Sequence, residues 1–219
     1  SLPPQNYSQP YLSYPFHNHG PASAQQNLPQ IDESECLWIP ISYTLLPNLG
    51  RESYKIAFKQ INNASIACGQ PIANNIQVMM DFEQAERDSW KEVFENYNHE
   101  IVGCNFHYCQ ALIKYVKDHG FIAQFRDQNN KALRNTIYMG MGLSYIRLDE
   151  DLDLALELMY EEFAHLECDD PQTFDFLDKF VTDYIKGYWI NGPHPPHTWN
   201  FWHQDDHVTN NGAESGNNQ

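Results

Sequence analysis

Basic side chains are scarce in this chain: 13 Lys and Arg stand against 29 Asp and Glu in 219 residues, giving a formal net charge of −16 and a pI near 4.8. A stand-alone nucleic-acid binder needs a basic footprint to neutralise phosphates, so that class is excluded unless a local patch or a bound cation supplies the positive charge. Apolar runs of transmembrane length are missing and no signal peptide is visible, so neither a membrane span nor secretion is expected. Five cysteines (Cys36, Cys68, Cys104, Cys109, Cys168) are an odd number, widely spread in a chain large enough to build a core. Reduced thiols in an intracellular protein are therefore expected rather than a disulfide framework. The first 31 residues contain no Asp, Glu, Lys or Arg at all. Pro3, Pro4, Pro10, Pro15, Pro21 and Pro29 are spread through them. Prolines remove backbone donors and fix φ, so residues 1–35 read as a disordered or extended Pro/Gln/Asn-rich leader, with His17 and His19 as polar filler.

What the chain does have is apolar content, 42% hydrophobic and 14% aromatic residues, enough for a real core. Cys36 to Pro47 reads as a strand in which Pro40 suggests an edge or a bulge. Residues 50–69 have a helical period with Tyr54, Ala57, Phe58, Ile61 and Ala64 on one face. Ile76, Val78 and Met80 then alternate, with Met79 apolar on the other face, as in a buried strand. Asp81 ends that strand, and a helix over 83–95 is predicted from Phe82, Ala85, Ser89, Trp90, Val93 and Phe94. Residues 100–104 form another short strand. The next helix, 106–119, would turn Phe106, Cys109, Leu112, Ile113 and Val116 inward and stop at Gly120.

From there to about Trp189 the pattern is almost purely helical. One amphipathic stretch carries Leu152, Leu156, Met159, Phe163 and Leu166, and starts in the acidic run Asp149, Glu150, Asp151, Asp153, where carboxylates favour a helix N-terminus. Another opens with Asp170 as N-cap and Pro171 at N1, then repeats Phe174, Leu177, Val181, Tyr184 and Ile185. The tail from Tyr188 turns irregular around Gly192, Pro193, Pro195 and Pro196. Thr209 or Asn210 can cap a last helix that projects Glu214.

Three features carry the chemistry. Asp81 stands at the carboxyl end of a strand, where open α/β sheets place ligands, although Asp is also a favoured N-cap for the helix that follows. Cys104 and His107 follow the next strand, and Glu214 lies in Thr209-Asn210-Asn211-Gly212-Ala213-Glu214-Ser215-Gly216-Asn217. Together with Asp81-Phe82-Glu83-Gln84-Ala85 and Gly103-Cys104-Asn105-Phe106-His107, these motifs resemble, in order and spacing, the transposases of Mutator-like elements, a branch of the DDE (Asp-Asp-Glu) family. The segment Ile39–Tyr54 resembles the same family's hydrophobic strand, Leu-Leu-Pro and Tyr, so the resemblance spans roughly residues 37–219.

The resemblance implies an α/β fold: a partial RNase H-like core (36–120), an all-helical insertion (121–190) before the last acidic residue, and a final loop and helix start (191–219) carrying Glu214. The interval of about 130 residues between Asp81 and Glu214 agrees with such an insertion. It also implies that Asp81 and Glu214 are the second and third catalytic acids and metal ligands, holding Mg²⁺ or Mn²⁺ for DNA strand cleavage and transfer, with Cys104 and His107 as a structural motif. Transposon-end DNA and a second copy of the chain are the implied partners, no membrane is, and the implied location is nuclear. The family's first Asp has no counterpart: the space before residue 36 is the uncharged leader, and Asp32, Glu33 and Glu35 lack strand context. The chain is expected to be a fragment or degenerate copy, with weak or absent metal binding and no activity as it stands.

Two enzymatic or metal alternatives and one non-enzymatic alternative stand beside it. Cys104, His107 and Cys109 have zinc-ligand chemistry, although Cys109 falls on the apolar face of its helix. His194, His197, His203 and His207, with Asp205 and Asp206, could form a histidine-based metallohydrolase centre, without any Glu in a His-Glu-x-x-His position. A transposase-derived interaction module would use Trp189, Trp199, Phe201 and Trp202 as packing or partner surface. Lys114, Lys117, Arg126, Lys131 and Arg134 read as a solvated face.

Overall fold

The computed structural model describes Ser42 and residues 44–202. The strand expected over 36–47 therefore falls mostly outside the described residues, as do Glu214, His203, His207, Asp205 and Asp206. Ser42 and Thr44–Leu46, its described end, are not paired as strand. The chain enters with Leu46 half-buried and Leu45 exposed, then turns at Gly50 into α1 (Arg51–Ala67). Tyr54, Ala57 and Phe58 form the buried stripe of α1, as its period predicts. Strand β1 (Gln77–Met80), helix α2 (Gln84–Val93) and strand β2 (Glu100–Gly103) follow. The two strands pair in parallel, with Gln77 opposite Glu100 and Met80 opposite Gly103. β1 is shorter than expected, and only Met80 is buried in it, whereas Ile101, Val102 and Gly103 are all buried in β2.

Helix α3 (Asn105–Asp118) starts directly at the end of β2 and stops at Gly120, whose φ of +85° is the left-handed conformation that only glycine adopts freely. Its inward face differs from the expected one. Tyr108, Leu112 and Val116 are buried, whereas Phe106 and Ile113 are exposed. The reason is Tyr108: its hydroxyl donates to the Gly140 carbonyl at 2.8 Å, so this polar side chain satisfies its one demand inside the core and rotates the buried stripe toward itself.

Short α4 (Ile122–Arg126) leads to α5 (Lys131–Gly142), α6 (Leu148–Phe163), α7 (Leu166–Asp169) and α8 (Pro171–Lys179). Asn130 caps α5, accepting the Leu133 N–H at 3.4 Å. Asp170 caps α8 through the Thr173 N–H at 3.2 Å and hydroxyl at 2.6 Å, with Pro171 in the first turn, as the sequence indicates. The acidic start of α6 is held by Arg147, which pairs with Glu150 and Asp151. Beyond α8 the helix widens into i→i+5 turns over Phe180–Ile190, closed by Asn191 N–H donating to the Lys186 carbonyl at 3.0 Å.

Two hydrophobic clusters result. The smaller joins Tyr54 and Phe58 of α1, Met80 of β1, Ile101 of β2 and Phe94 after α2. The larger runs from Tyr108 through Leu133, Ile137, Met159, Phe163, Leu177 and Ile185 to Trp199, and takes in α3 together with the helices beyond residue 120. The irregular tail belongs to this core: Trp199 stacks on Tyr108 with ring centres 5.0 Å apart and planes 8° from parallel. Its indole N–H points to the carbonyls of Trp189 and His194. Phe201 is buried as well, and Trp202 is exposed. Among the described residues the architecture is mostly helical with one small parallel sheet, a mixed α/β fold, and no helix is long and apolar enough to cross a membrane.

Candidate active site at the sheet edge

Because β1 and β2 are parallel, both strands end at the same edge, where α/β sheets concentrate functional groups. The residues that leave the sheet side by side are Asp81 and Cys104, and the Cys104 N–H still donates to the Met80 carbonyl at 2.9 Å. Asp81 is half-exposed, with its Oδ1 accepting the N–H of Phe82 at 2.6 Å. It does not cap the helix: the N-cap position of α2 belongs to Glu83, which makes no side-chain cap bond. His107, in the first turn of α3, brings Nδ1 to 4.0 Å from Asp81 Oδ1, an ion pair when the imidazole is protonated. Three sequence-predicted residues, Asp81, Cys104 and His107, thus meet at one edge.

Phe82 forms the floor of this edge. Its ring lies over Gly103, where any Cβ would overlap it. It meets Trp189 and His194 edge-on at 5.0 and 5.2 Å, and carries the Arg87 guanidinium 5.4 Å from its centre. The glycine of the Gly-Cys pair is thus required by close approach, not by backbone conformation.

Three charged residues at this edge, Glu83, Glu86 and Arg87, are not singled out by their sequence pattern as site residues, and His194, expected in a histidine cluster, joins them here. Glu83 accepts the Tyr54 hydroxyl at 2.8 Å, and burial, reinforced by that carboxylate, holds the phenol protonated far above its ordinary range. The Glu86 carboxyl is pushed up to about 7, first by burial and then by the charges of Asp81 and Glu83, with only partial relief from Arg87. Arg87 is itself buried: Nη2 reaches the Ile101 carbonyl at a long 3.5 Å, and Nη1 has no hydrogen-bond partner among the described residues. His194 is buried against Phe82 and Trp189, with Nε2 3.4 Å from the Tyr188 hydroxyl. Burial, and secondarily Arg87, lower its pKa while Asp81 opposes, which favours the neutral ring near pH 7. A signal for Glu86 was present, since it occupies the i+4 step between Phe82 and Trp90, both assigned inward.

The remaining expectations are met only in part by the described residues. His197 is exposed while His194 is buried, and their companions lie outside the described residues. Cys104 is fully buried at the α3 N-cap position, and Cys109 is half-buried with Sγ 3.9 Å from Asn105 Oδ1, its thiol pKa raised by burial. Among the described residues, no three of His, Cys, Asp and Glu are grouped to hold a metal. In the basic set, Lys114 pairs with Asp118 and Arg134 donates to the Phe125 carbonyl at 3.2 Å, while Lys117, Arg126 and Lys131 are exposed. The chemistry available is therefore a hard carboxylate oxygen at Asp81, a carboxyl at Glu86 that exchanges protons near neutrality, and a buried guanidinium between them and the helical core. Compared with known protein families, curated proteins and solved structures, the chain matches none.

Proposed function

We propose that this chain derives from the catalytic core of a Mutator-like DDE transposase and is inactive as it stands. The observation that supports this most is the meeting of Asp81 with Cys104 and His107 at the carboxyl edge of two parallel strands joined by a helix. In an RNase H-like core interrupted by a helical insertion, the second acid and the Cys-x-x-His motif would stand in that relation, and Glu214 would complete the pair of acids.

The residues fit a divalent cation only in part. Asp81 Oδ1 is engaged by the Phe82 N–H, which leaves Oδ2 as a hard ligand, and Glu86 adds a second carboxyl whose charge a cation would favour. Arg87, however, already supplies positive charge to both, so weak Mg²⁺ or Mn²⁺ binding is expected. When bound, such an ion would activate a water or 3′-hydroxyl and offset charge at a DNA phosphodiester. With a first carboxylate lacking, two acids hold it poorly and position nothing in line. Transposon-end DNA, a second copy of the chain and a nuclear location belong to the same proposal.

Millimolar Mn²⁺ added to the ¹⁵N-labelled chain should broaden amides flanking Asp81 and Glu214 together, and Asp81→Asn should abolish both effects. Broadening at one site alone, or at neither, would remove the basis for pairing the two acids. In a Mg²⁺-dependent nicking assay neither the chain nor Glu214→Ala should cut DNA. Cutting by the chain that Glu214→Ala abolishes would show it to be an active nuclease and overturn the proposed inactivity.

A further inference from the structure

We infer that the outer face of α6 is a docking surface for a basic amphipathic helix of a partner protein. The assignment stands apart from the transposase reading. It rests on an exposed leucine pair, on the unneutralised carboxylates beside it, and on where the basic residues of the chain lie.

α6 has two unlike faces. Its inner side carries Met159 and Phe163, both fully buried, with Ala155 and Leu156 packed on the same core. On the other side Leu154 keeps 57% of its surface exposed and Leu158 45%. Leu154 and Phe163 are about two and a half turns apart and so face opposite ways. Leu154 and Leu158 stand one turn apart and make a single apolar ridge. Leucine on that side adds nothing to the fold, since Glu, Lys or Gln would serve helix propensity about as well and prefer water.

Asp149, Asp153, Glu157 and Glu161 follow one another at four-residue steps along one flank of the ridge, and all are exposed. None of them joins an ion pair among the described residues, where Arg147 serves only Glu150 and Asp151. Like charges at this spacing on a helix repel, so the stripe destabilises α6 until a cationic surface meets it. The chain cannot supply that surface from elsewhere in its sequence. Its 13 Lys and Arg all fall between Arg51 and Lys186, and none lies in Leu148–Phe163 or in residues 1–50 and 187–219.

The chemistry of the face selects its occupant. Carboxylates repel the phosphates of nucleic acid and of anionic lipid. A second copy in a two-fold contact would set acid against acid. The backbone of α6 is hydrogen-bonded within itself and offers no edge for a strand. A helix with Leu on one stripe and Lys or Arg at four-residue steps beside it matches ridge and carboxylates with one repeat, over the ~24 Å length of α6.

The probe is a synthetic, fluorescein-labelled amphipathic peptide of Leu and Lys, titrated with the full chain at physiological salt and read by anisotropy. It should bind saturably, and at least about tenfold more tightly than a peptide of the same composition in scrambled order. Leu154→Ala with Leu158→Ala should weaken binding by about tenfold and leave the urea midpoint in place. Glu157→Lys with Glu161→Lys should reject this probe and accept one with Glu in place of Lys. The same charge change at exposed positions elsewhere, Glu95→Lys with Glu100→Lys, should alter affinity by no more than about twofold. Amide shifts of the ¹⁵N-labelled chain should centre on α6. No binding, or equal binding of the scrambled peptide, would overturn the inference, the latter by showing bulk charge attraction alone. Equal losses in the two Lys variants or shifts centred away from α6 would do so too. So would self-association in sedimentation that Leu154→Ala with Leu158→Ala abolishes, since a second copy would then hold the face.

Discussion

The two hydrophobic clusters among the described residues are built to different standards. In the helical cluster Leu112, Leu133, Ile137, Met159, Phe163, Leu177, Phe180, Ile185 and Trp199 are completely excluded from solvent. In the α/β cluster Tyr54, Phe58 and Ile101 each keep 8–9% of their surface exposed, and among the described residues the sheet has only two strands. The helices hold themselves together, whereas the sheet leans on what surrounds it. The candidate site lies on the seam, because Phe82 leaves β1 and packs on Trp189 and His194 of the helical side. The buried charge at Arg87 and Glu86 follows from that position: a carboxylate edge has been pressed against an aromatic core.

Truncating one side chain in each cluster tests this contrast most strongly. Trp199→Ala removes the stacking on Tyr108 and both indole hydrogen bonds, and should lower stability by about 3–5 kcal/mol in urea unfolding followed by circular dichroism. Phe58→Ala should cost less, about 2 kcal/mol, because a half-open cluster can close over the space. Equal losses would mean that the two cores are equally tight, and the contrast would fail.

The seam itself should respond to pH. Glu86 has a folded-state pKa of about 7 against an ordinary 4.5. A raised acid leaves stability untouched below its unfolded value and withdraws it as pH rises through the folded one, here by roughly 3 kcal/mol. Glu86→Gln should therefore match the unaltered chain at pH 4 and exceed it at pH 8 in urea unfolding. His194 acts in the opposite sense, since its lowered pKa gives stability that is present above 6.5 and lost as pH falls through the folded value. A Glu86→Gln variant with no advantage at pH 8 would show the carboxyl to be better solvated than its surroundings imply.

What could be read from the sequence follows the same division. Local signals were sufficient for α1, for the stop at Gly120, for the Asp170-Pro171 start and for the acidic opening of α6, because caps, dipoles and periodicity act within a few residues. The placement of Asp81 and Cys104 at strand ends was readable for the same reason. The buried face of α3 was not, because the partner that lets Tyr108 go inside, the Gly140 carbonyl, is 32 residues away. Nor could the sequence separate His194 from His197: both lie in one Pro-rich stretch, and only the loop's path behind Phe82 buries the first. Glu83 stands inside the Asp81–Ala85 motif, but the contact that engages it, the Tyr54 hydroxyl, comes from another helix and has no local signal.

Side-chain helix capping is limited among the described residues to two helices beyond residue 120: Asn130 and Asp170 make a cap bond, whereas Gly50, Glu83, Cys104, Phe121, Arg147 and His165 occupy N-cap positions without one. Asp170 is held below the usual carboxylate range first by the Thr173 hydroxyl and then by the Thr173 N–H. A lowered acid contributes stability above its unfolded pKa of 3.8 and loses it as pH falls through the folded value. Asp170→Ala should cost about 1 kcal/mol at pH 7, and the cost should fade as the solution is acidified below the folded value, by urea unfolding at both pH values. Glu83→Ala makes the complementary comparison. It removes no cap, so any loss it causes should disappear when Tyr54 is already Phe, whereas a loss that persists in the Tyr54→Phe background would show that α2 depends on Glu83 at its start after all.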